Sequence, residues 1–414
     1  NTMTNNSNDI FTYHTLANGL RIVHRASAAD VEYCGVAIKA GSRNESSADY
    51  GLAHFVEHTI FKGTDRRRSW HIVNRMESVG GEINAYTSEE VTMLYSCFPK
   101  GNLTRAVELM ADLIGYSRFP ENEIDREREV VLDEIDSYLD SPSDAIFDDF
   151  NDLIFAGSSL GHNILGTAET IETFTPESCR DFLSTHYTPG NMVFFYTGPT
   201  APSRVMSTVE RHLGFLNHSV KELHDETPRE VTPFDIRKKL GTHQSHTVIG
   251  ARIPGIYSRS NHTYALLNNI IGGPCMNSRL NVLLRERHGY VYSVDSYISS
   301  FTDCGLFTVY FGCDENHVKP CRRLIFRTLD ELAQSTMSTR ALDAAKKQYL
   351  GQTIVAGANA EQVALATGRS TLFHRHALHP DEIIERIMGI TPEDIRLAAE
   401  KLTPSRCSIL TFGQ

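Results

Sequence analysis

The sequence feature that most constrains the fold is the segment AHFVEHTIFKG, residues 53–63. It places His54 and His58 four residues apart in an apolar run, with Glu57 directly before the second histidine. On an α-helix, residues i and i+4 lie on one face, so both imidazoles can point to the same place. Imidazoles are zinc ligands, and a carboxylate beside the metal can take a proton from water. The spacing predicts a metal hydrolase helix, and a chance spacing on a buried helix is the alternative.

A later acidic segment, DREREVVLDEIDSYLD, offers a further ligand. Its Glu127 and Glu134 are seven positions apart and share a helix face to within roughly 20°. Because a catalytic zinc takes three protein ligands and leaves one position for water, one carboxylate could bind the metal. The other could orient a ligand. A solvated acidic helix face would give the same pattern.

The chain has 414 residues, which is too long for one ordinary core, and its composition of 41% hydrophobic and 22% charged residues is globular. Residues 216–233 lose hydrophobic periodicity and predict a linker. We therefore expect domains at 1–215 and 234–414. The order of their predicted elements repeats, so we expect an internal duplication and an α+β fold, each domain a mostly antiparallel sheet packed with helices.

Individual elements follow from turn signals and periodicity. Asn18-Gly19 predicts an N-terminal hairpin. The other predicted strands are 34–40, 83–86, 92–98, 247–253, 291–298 and 306–312. The predicted helices are 103–116, 121–139, 264–271, 280–287 and 318–332. The second half has no counterpart of the histidine pair, so only the first domain should hold a metal.

Together these segments resemble the family that contains pitrilysin, insulysin and the mitochondrial processing peptidase, in its short two-domain bacterial form. HxxEH is the inverted zinc motif of that family, and EREVVLDE is similar to its second signature. The resemblance implies that His54, His58 and Glu134 bind one Zn²⁺ per chain. It also implies that Glu57 is the general base and that Glu127 is a supporting catalytic carboxylate.

The resemblance assigns a substrate-binding role to INAYT, residues 83–87. It implies an edge strand beside the metal, to which an extended peptide adds through main-chain hydrogen bonds. Asn84, Ala85 and Tyr86 are its candidate substrate-binding residues, with Asn84 and Ala85 facing the scissile bond. A local role for Asn84 at a strand end is the alternative. Glu89 and Glu90, which follow the strand, are candidates for contacting basic substrates.

In the second half, LLRERHGYVYSV resembles the family's Arg/Tyr element, which falls here on Arg285 and Tyr292. A guanidinium can hold a substrate carbonyl, and a phenol can donate to a developing oxyanion. These two residues are therefore candidates for both catalysis and substrate binding. A surface arginine and a core tyrosine are the alternative.

The resemblance implies a zinc metalloendopeptidase that acts on peptides or unfolded protein segments. Chains of this length resemble half of the clamshell formed by longer members, so we expect a homodimer in which Arg285 and Tyr292 act in trans. An active subunit that needs a degenerate partner chain, or a non-catalytic scaffold member of the family, are the alternatives.

Charge and composition exclude other classes of partner. With 40 Lys and Arg against 51 Asp and Glu, the net charge of −11 argues against nucleic acid. No apolar stretch approaches the roughly 20 residues that cross a membrane, and the first nine residues lack the pattern of an export signal. The eight cysteines form no C-x-x-C pair, which predicts reduced thiols and a cytoplasmic protein.

Overall fold

The computed structural model describes residues 10–217 and 226–413, which form two compact units. Among the described residues, unit 1 contains 10–136, 162–217 and 357–378, and unit 2 contains 137–161, 226–356 and 379–413. The strands are β1 (Phe11–Thr15), β2 (Arg21–Ala26), β3 (Val31–Ile38), β4 (Glu82–Thr87), β5 (Thr92–Pro99), β6 (Met192–Gly198), β7 (Asp235–Lys239), β8 (Ser245–Ile253), β9 (Val291–Ser300), β10 (Gly305–Cys313) and β11 (Ser408–Gly413).

Helices pack around both sheets. The α-helices are α1 (Leu52–Thr59), α2 (Ser69–Glu77), α3 (Leu103–Tyr116), α4 (Glu121–Leu139), α5 (Pro142–Ile154), α6 (Ala168–Ile171), α7 (Pro176–His186), α8 (Pro202–Leu213), α9 (Asn261–Gly272), α10 (Val318–Gln334), α11 (Thr339–Ala356), α12 (Ala360–His374), α13 (Pro380–Met388) and α14 (Pro392–Ala399). A π-helix, Asn281–Arg287, lies between α9 and β9.

The two sheets share a five-stranded topology, to which the sheet of unit 1 adds one strand. Unit 1 has the strand order β1-β2-β6-β3-β5-β4, and unit 2 has the order β7-β11-β8-β10-β9. In each sheet one pair is parallel, β2 with β6 and β7 with β11, and the remaining neighbours are antiparallel. Without β1, the strand orders of the two sheets match position by position. The α+β fold of two homologous domains is therefore confirmed.

The division between the units is not continuous along the chain. Helix α5 belongs to unit 2, where Ile146, Phe150 and Ile154 share an apolar cluster with residues of β8 and β11. Helix α12 belongs to unit 1, where it packs against β2, β3 and β6. The contact grouping thus differs from the predicted division into 1–215 and 234–414 at these two helices. Each of these two helices goes with the sheet against which its buried residues pack.

The predicted linker, 216–233, lies partly outside the described residues, which resume at 226. Residues 226–233 contain neither helix nor strand. The first nine residues, to which the export-signal prediction applies, also lie outside the description. Among the described residues, no helix combines the length and the apolar character needed to cross a membrane.

The core of unit 1 positions the candidate site. Helix α1 packs against α7 and β4, and its Ala53, Phe55 and Val56 are fully buried in the main apolar cluster. Strand β4 lies at the edge of the sheet and pairs, among the described strands, with β5 alone. The histidine helix and a sheet edge are therefore neighbours.

Candidate metal centre

The two histidines lie on one short helix, as their spacing predicts. Leu52, Ala53, Phe55 and Val56 bury one side of α1 in the core, and this burial fixes the helix against the sheet. His54 is buried, whereas Glu57 and His58 are half-buried. The two imidazole centroids are 4.6 Å apart, with an angle of 64° between the ring planes.

Glu134, on α4, completes a ligand set with these histidines. Its Oε2 lies 3.8 Å from His54 Nε2 and 3.6 Å from His58 Nε2. All three donor atoms lie within 4.8 Å of one another, and this is the one metal-binding group found among the described residues. Two ligands bonded to a tetrahedral zinc at about 2.0–2.1 Å are about 3.3 Å apart. The three side chains therefore fit zinc after a small inward movement.

The electrostatics of His54 also suit a metal. Burial, reinforced by the neighbouring His58, lowers the pKa of His54 from its ordinary value to about 3. Because the imidazole is neutral above its pKa, His54 is unprotonated at neutral pH. A neutral imidazole is the form that binds a metal.

Glu57 lies beside this ligand set without being part of it. Burial raises the pKa of Glu57, and the negative charge of Glu134 adds to the rise, while Thr87 and His58 oppose it. A carboxylate with a raised pKa is a stronger base than an exposed one and is suited to general-base catalysis. Since Thr87 is the last residue of β4, this interaction also places Glu57 next to the edge strand.

Glu127 contacts a ligand and is buried behind it. Its Oε2 accepts a hydrogen bond of 3.1 Å from His58 Nδ1, and its Oε1 is 2.7 Å from Lys62 Nζ. This arrangement leaves His58 Nε2 directed toward Glu134. A carboxylate on the second ring nitrogen fixes the orientation of a metal-binding imidazole. Through this contact Glu127 can orient His58, and its predicted role as a supporting catalytic carboxylate stays a prediction.

Lys62 is a residue of the site that the sequence did not predict. It lies in the apolar segment that follows the second histidine, and its ammonium group neutralises the buried carboxylate of Glu127. The only signal in the sequence was its place four residues after His58, on the same segment as the motif. Nothing in the sequence pairs it with α4.

The edge strand β4 directs its side chains to both sides. Ile83 and Ala85 pack against the core that contains α1, whereas Asn84 is exposed. Tyr86 contacts the ring of Tyr95 on β5, with centroids 6.4 Å apart. Because successive strand residues alternate in direction, the side chains of Asn84 and Ala85 point to opposite faces. Both backbones lie on the edge strand, and the predicted placement of Asn84 and Ala85 at the scissile bond stays a prediction.

The two glutamates after β4 are not a solvated acidic surface. Glu90 is buried and its Oε1 lies 2.7 Å from Nη1 of the buried Arg43. Burial raises the pKa of Glu89. Glu90 serves the interior of unit 1, so its predicted contact with basic substrates is wrong.

Arg285 and Tyr292 lie in unit 2. Arg285 is on the π-helix, and Tyr292 is an exposed residue of β9 whose hydroxyl donates to Asp314 Oδ1 at 3.0 Å. The charge of Arg285 opposes the rise that burial produces in the pKa of Asp295. Their predicted role at the metal site stays a prediction.

Comparisons with known proteins agree with this geometry. Residues 21–168 match the family described as insulinase, peptidase family M16, and residues 173–349 match the family described as peptidase M16 inactive domain. An uncharacterized zinc protease of Streptomyces coelicolor is 31% identical, covering 96% of this chain and 88% of the relative. The uncharacterized zinc protease YmxG of Bacillus subtilis is 32% identical, covering 94% of this chain and 95% of the relative.

Solved structures share the fold over almost the full length. A protease from Helicobacter pylori has a TM-score of 0.89 at 21% identity, covering 98% of this chain and 99% of that chain. A peptidase M16 inactive domain from Pseudomonas fluorescens has a TM-score of 0.90 at 17% identity, with 97% of each chain covered. At these identities the likeness concerns the fold alone.

Proposed function

This chain belongs to peptidase family M16, and we propose that it is a zinc-dependent endopeptidase that hydrolyses peptides or unfolded protein segments. The observation that carries the proposal is the convergence of His54, His58 and Glu134, with Glu57 beside them. A scaffold member of the family would not need an intact ligand set and an adjacent base. The scaffold alternative is therefore the weaker one.

Each residue of the site has one task in this proposal. Bound zinc supplies Lewis-acid activation of water and of the scissile carbonyl. His54, His58 and Glu134 hold the ion, and Glu127 with Lys62 keeps His58 in orientation. Glu57 takes the proton of the attacking water on its carboxylate and delivers it to the nitrogen of the leaving amine.

The position of β4 at the edge of the sheet is the reason to propose a peptide as the substrate. An extended peptide can pair with the free side of β4, because the described part of the sheet covers only the other side. Such pairing uses main-chain groups, so it selects unfolded segments rather than particular side chains. Asn84, Ala85 and Tyr86 are the strand residues that we assign to this contact.

The remaining parts of the proposal concern assembly and location. We assign Arg285 and Tyr292 to the substrate in trans, within a homodimer that has two composite sites. A partner chain with a degenerate site is the alternative to a second copy. The eight cysteines are free thiols, and this supports a reducing compartment such as the cytoplasm.

The experiment that tests the proposed function compares Glu57→Gln with the parent. Glu57→Gln should keep the parental zinc content and lose about 10²–10⁴-fold in cleavage of a quenched peptide library, because it removes the base alone. Glu129→Gln, an exposed glutamate of α4, is the matched control and should retain both properties. Cleavage by Glu57→Gln at the parental rate would refute the assigned role of Glu57.

A further inference from the structure

The helix that carries both histidines has no side-chain cap from its own N-cap residue. Helix α1 has only eight residues and begins after Gly51, which has no side chain to cap it. The first N–H groups of a helix have no partner within the helix, and short helices fray from their ends. His54 is the third residue of α1, so its position depends directly on the order of this first turn.

Glu45, six residues before Gly51, supplies the missing cap. Its Oε2 accepts from the backbone N–H of Gly51 at 2.9 Å, and its Oε1 accepts from that of Ala53 at 2.7 Å. The Glu45 side chain is completely buried. A carboxylate at a helix N-terminus also interacts favourably with the helix dipole. One side chain therefore satisfies two donors of the turn that leads into His54.

Glu45 is in turn held by His162. The Nε2 of His162 lies 2.9 Å from Glu45 Oε2, as expected for an N–H that donates to the carboxylate. The imidazole stacks on the ring of Tyr50, with centroids 3.6 Å apart and 6° between the planes. The side chain of His162 is almost fully buried, so this contact is shielded from water.

The backbone around this contact is packed tightly. A side chain added at Gly166 would place its Cβ 2.2 Å from the carbonyl oxygen of Tyr50. Thr170 Oγ1 donates to the same oxygen at 2.6 Å. The loop that carries His162 is thus fixed directly against the segment that leads into α1.

We infer that Glu45, held by His162, is a positioning residue for zinc: it fixes the first turn of α1 so that His54 presents Nε2 beside His58 and Glu134. The inference rests on the proposed function, because zinc is the ion that the turn would serve. It concerns residues that touch neither the metal ligands' donor atoms nor the substrate strand. Their contribution should therefore appear as metal affinity.

A second buried carboxylate of unit 1 provides a matched control. Glu32 on β3 is also completely buried, and it accepts hydrogen bonds from Gly101 N at 2.9 Å and from Tyr196 Oη at 2.6 Å. Neither of these donors belongs to α1. Glu32→Gln and Glu45→Gln thus disturb similar networks, and only the second lies at the histidine helix.

The test measures zinc affinity and stability separately. The zinc dissociation constants of the parent, Glu45→Gln, His162→Phe and Glu32→Gln would be measured by competition with a chromophoric chelator. The thermal midpoints of the metal-free proteins would be recorded in parallel. We expect the dissociation constant of Glu45→Gln to rise about 10-fold and that of Glu32→Gln to stay within about twofold of the parent, although both midpoints fall.

His162→Phe keeps an aromatic ring against Tyr50 but removes the donor, so it should weaken zinc binding in the same direction as Glu45→Gln. If Glu45→Gln does not fold, the zinc dissociation constant of His162→Phe tests the inference in its place. Parental zinc affinity in the folded Glu45 or His162 variant, or equal weakening in Glu32→Gln, would overturn the inference alone. A parent that binds no zinc would instead overturn the proposed function, and this inference with it.

Discussion

At the scale of single residues, the metal centre depends on a chain of contacts behind the ligands. His58 touches Glu127, and Glu127 touches Lys62, so the orientation of one imidazole is set by two residues that do not reach the metal position. Loss of the ammonium group would leave a buried carboxylate without its cation, which is costly. Because Glu127 contacts His58 directly and Lys62 acts only through Glu127, loss of Glu127 should weaken zinc binding more than loss of Lys62.

Glu127→Gln should raise the zinc dissociation constant about 10-fold, since outer partners of metal-binding histidines typically contribute that much. Lys62→Met should act in the same direction through Glu127. Chelator competition checks both variants, and Glu121→Gln, exposed at the start of α4, serves as the control. Unchanged affinity in Glu127→Gln would show that His58 needs no support from this carboxylate.

The sequence predicted the residues whose chemistry is local and missed those whose partners are remote. The spacing of His54 and His58 reflects one helical turn, and the resemblance supplied Glu134. Glu45 was not predicted because its partner, His162, is 117 positions away. Glu90 was misinterpreted for the same reason, since the arginine that neutralises it is 47 positions earlier. Two adjacent glutamates in a sequence give no indication of whether the fold buries their side chains.

At the scale of helices and strands, hydrophobic periodicity predicted where the elements lie but not which elements they pack against. The bounds of α3 and α4 agree with the predicted helices 103–116 and 121–139. The packing of α12 in unit 1 was not predicted, because it depends on a close approach of this helix to β6. A Cβ added at Gly368 of α12 would lie 2.4 Å from the ring of Phe195 on β6. Only a glycine lets the helix approach this strand so closely.

Gly368→Ala should therefore destabilise unit 1 by about 1–3 kcal/mol, because the methyl group overpacks the contact with β6. Gly351→Ala, in the middle of α11, is the matched control, since no atom lies within 4 Å of its added Cβ. It should stabilise its helix by about 0.5–1 kcal/mol, because alanine has the higher helix propensity. Urea denaturation measures both changes, and an equal gain in the two variants would contradict the packing argument.

At the scale of the whole molecule, the duplication could be predicted from the sequence because the second half repeats the order of elements of the first half. The corresponding strand orders bear this out. The proposed homodimer was inferred from the family resemblance alone, because the order of elements within one chain carries no signal of a partner. The proposed action of Arg285 and Tyr292 in trans has a direct consequence for mixed dimers.

A mixture of Glu57→Gln and Arg285→Ala, each inactive alone, should recover about a quarter of the parental activity after subunit exchange, since half of the dimers are mixed and each has one intact composite site. Peptide cleavage before and after mixing measures the recovery. Mixing Glu57→Gln with His58→Ala is the control and should recover nothing, because both lesions lie in the same unit. Absence of recovery in the first mixture, with dimers exchanging, would contradict the trans arrangement.

The zinc content of the purified chain and of two α4 variants shows whether His54, His58 and Glu134 form a zinc site. Glu134→Ala removes the third ligand, whereas Glu129→Ala removes a neighbouring exposed carboxylate. We expect one zinc per chain in the parent and in Glu129→Ala, and loss of zinc from Glu134→Ala after dialysis against a weak chelator. Equal zinc retention in Glu134→Ala and the parent, or a parent that binds no zinc, would contradict the proposed zinc site.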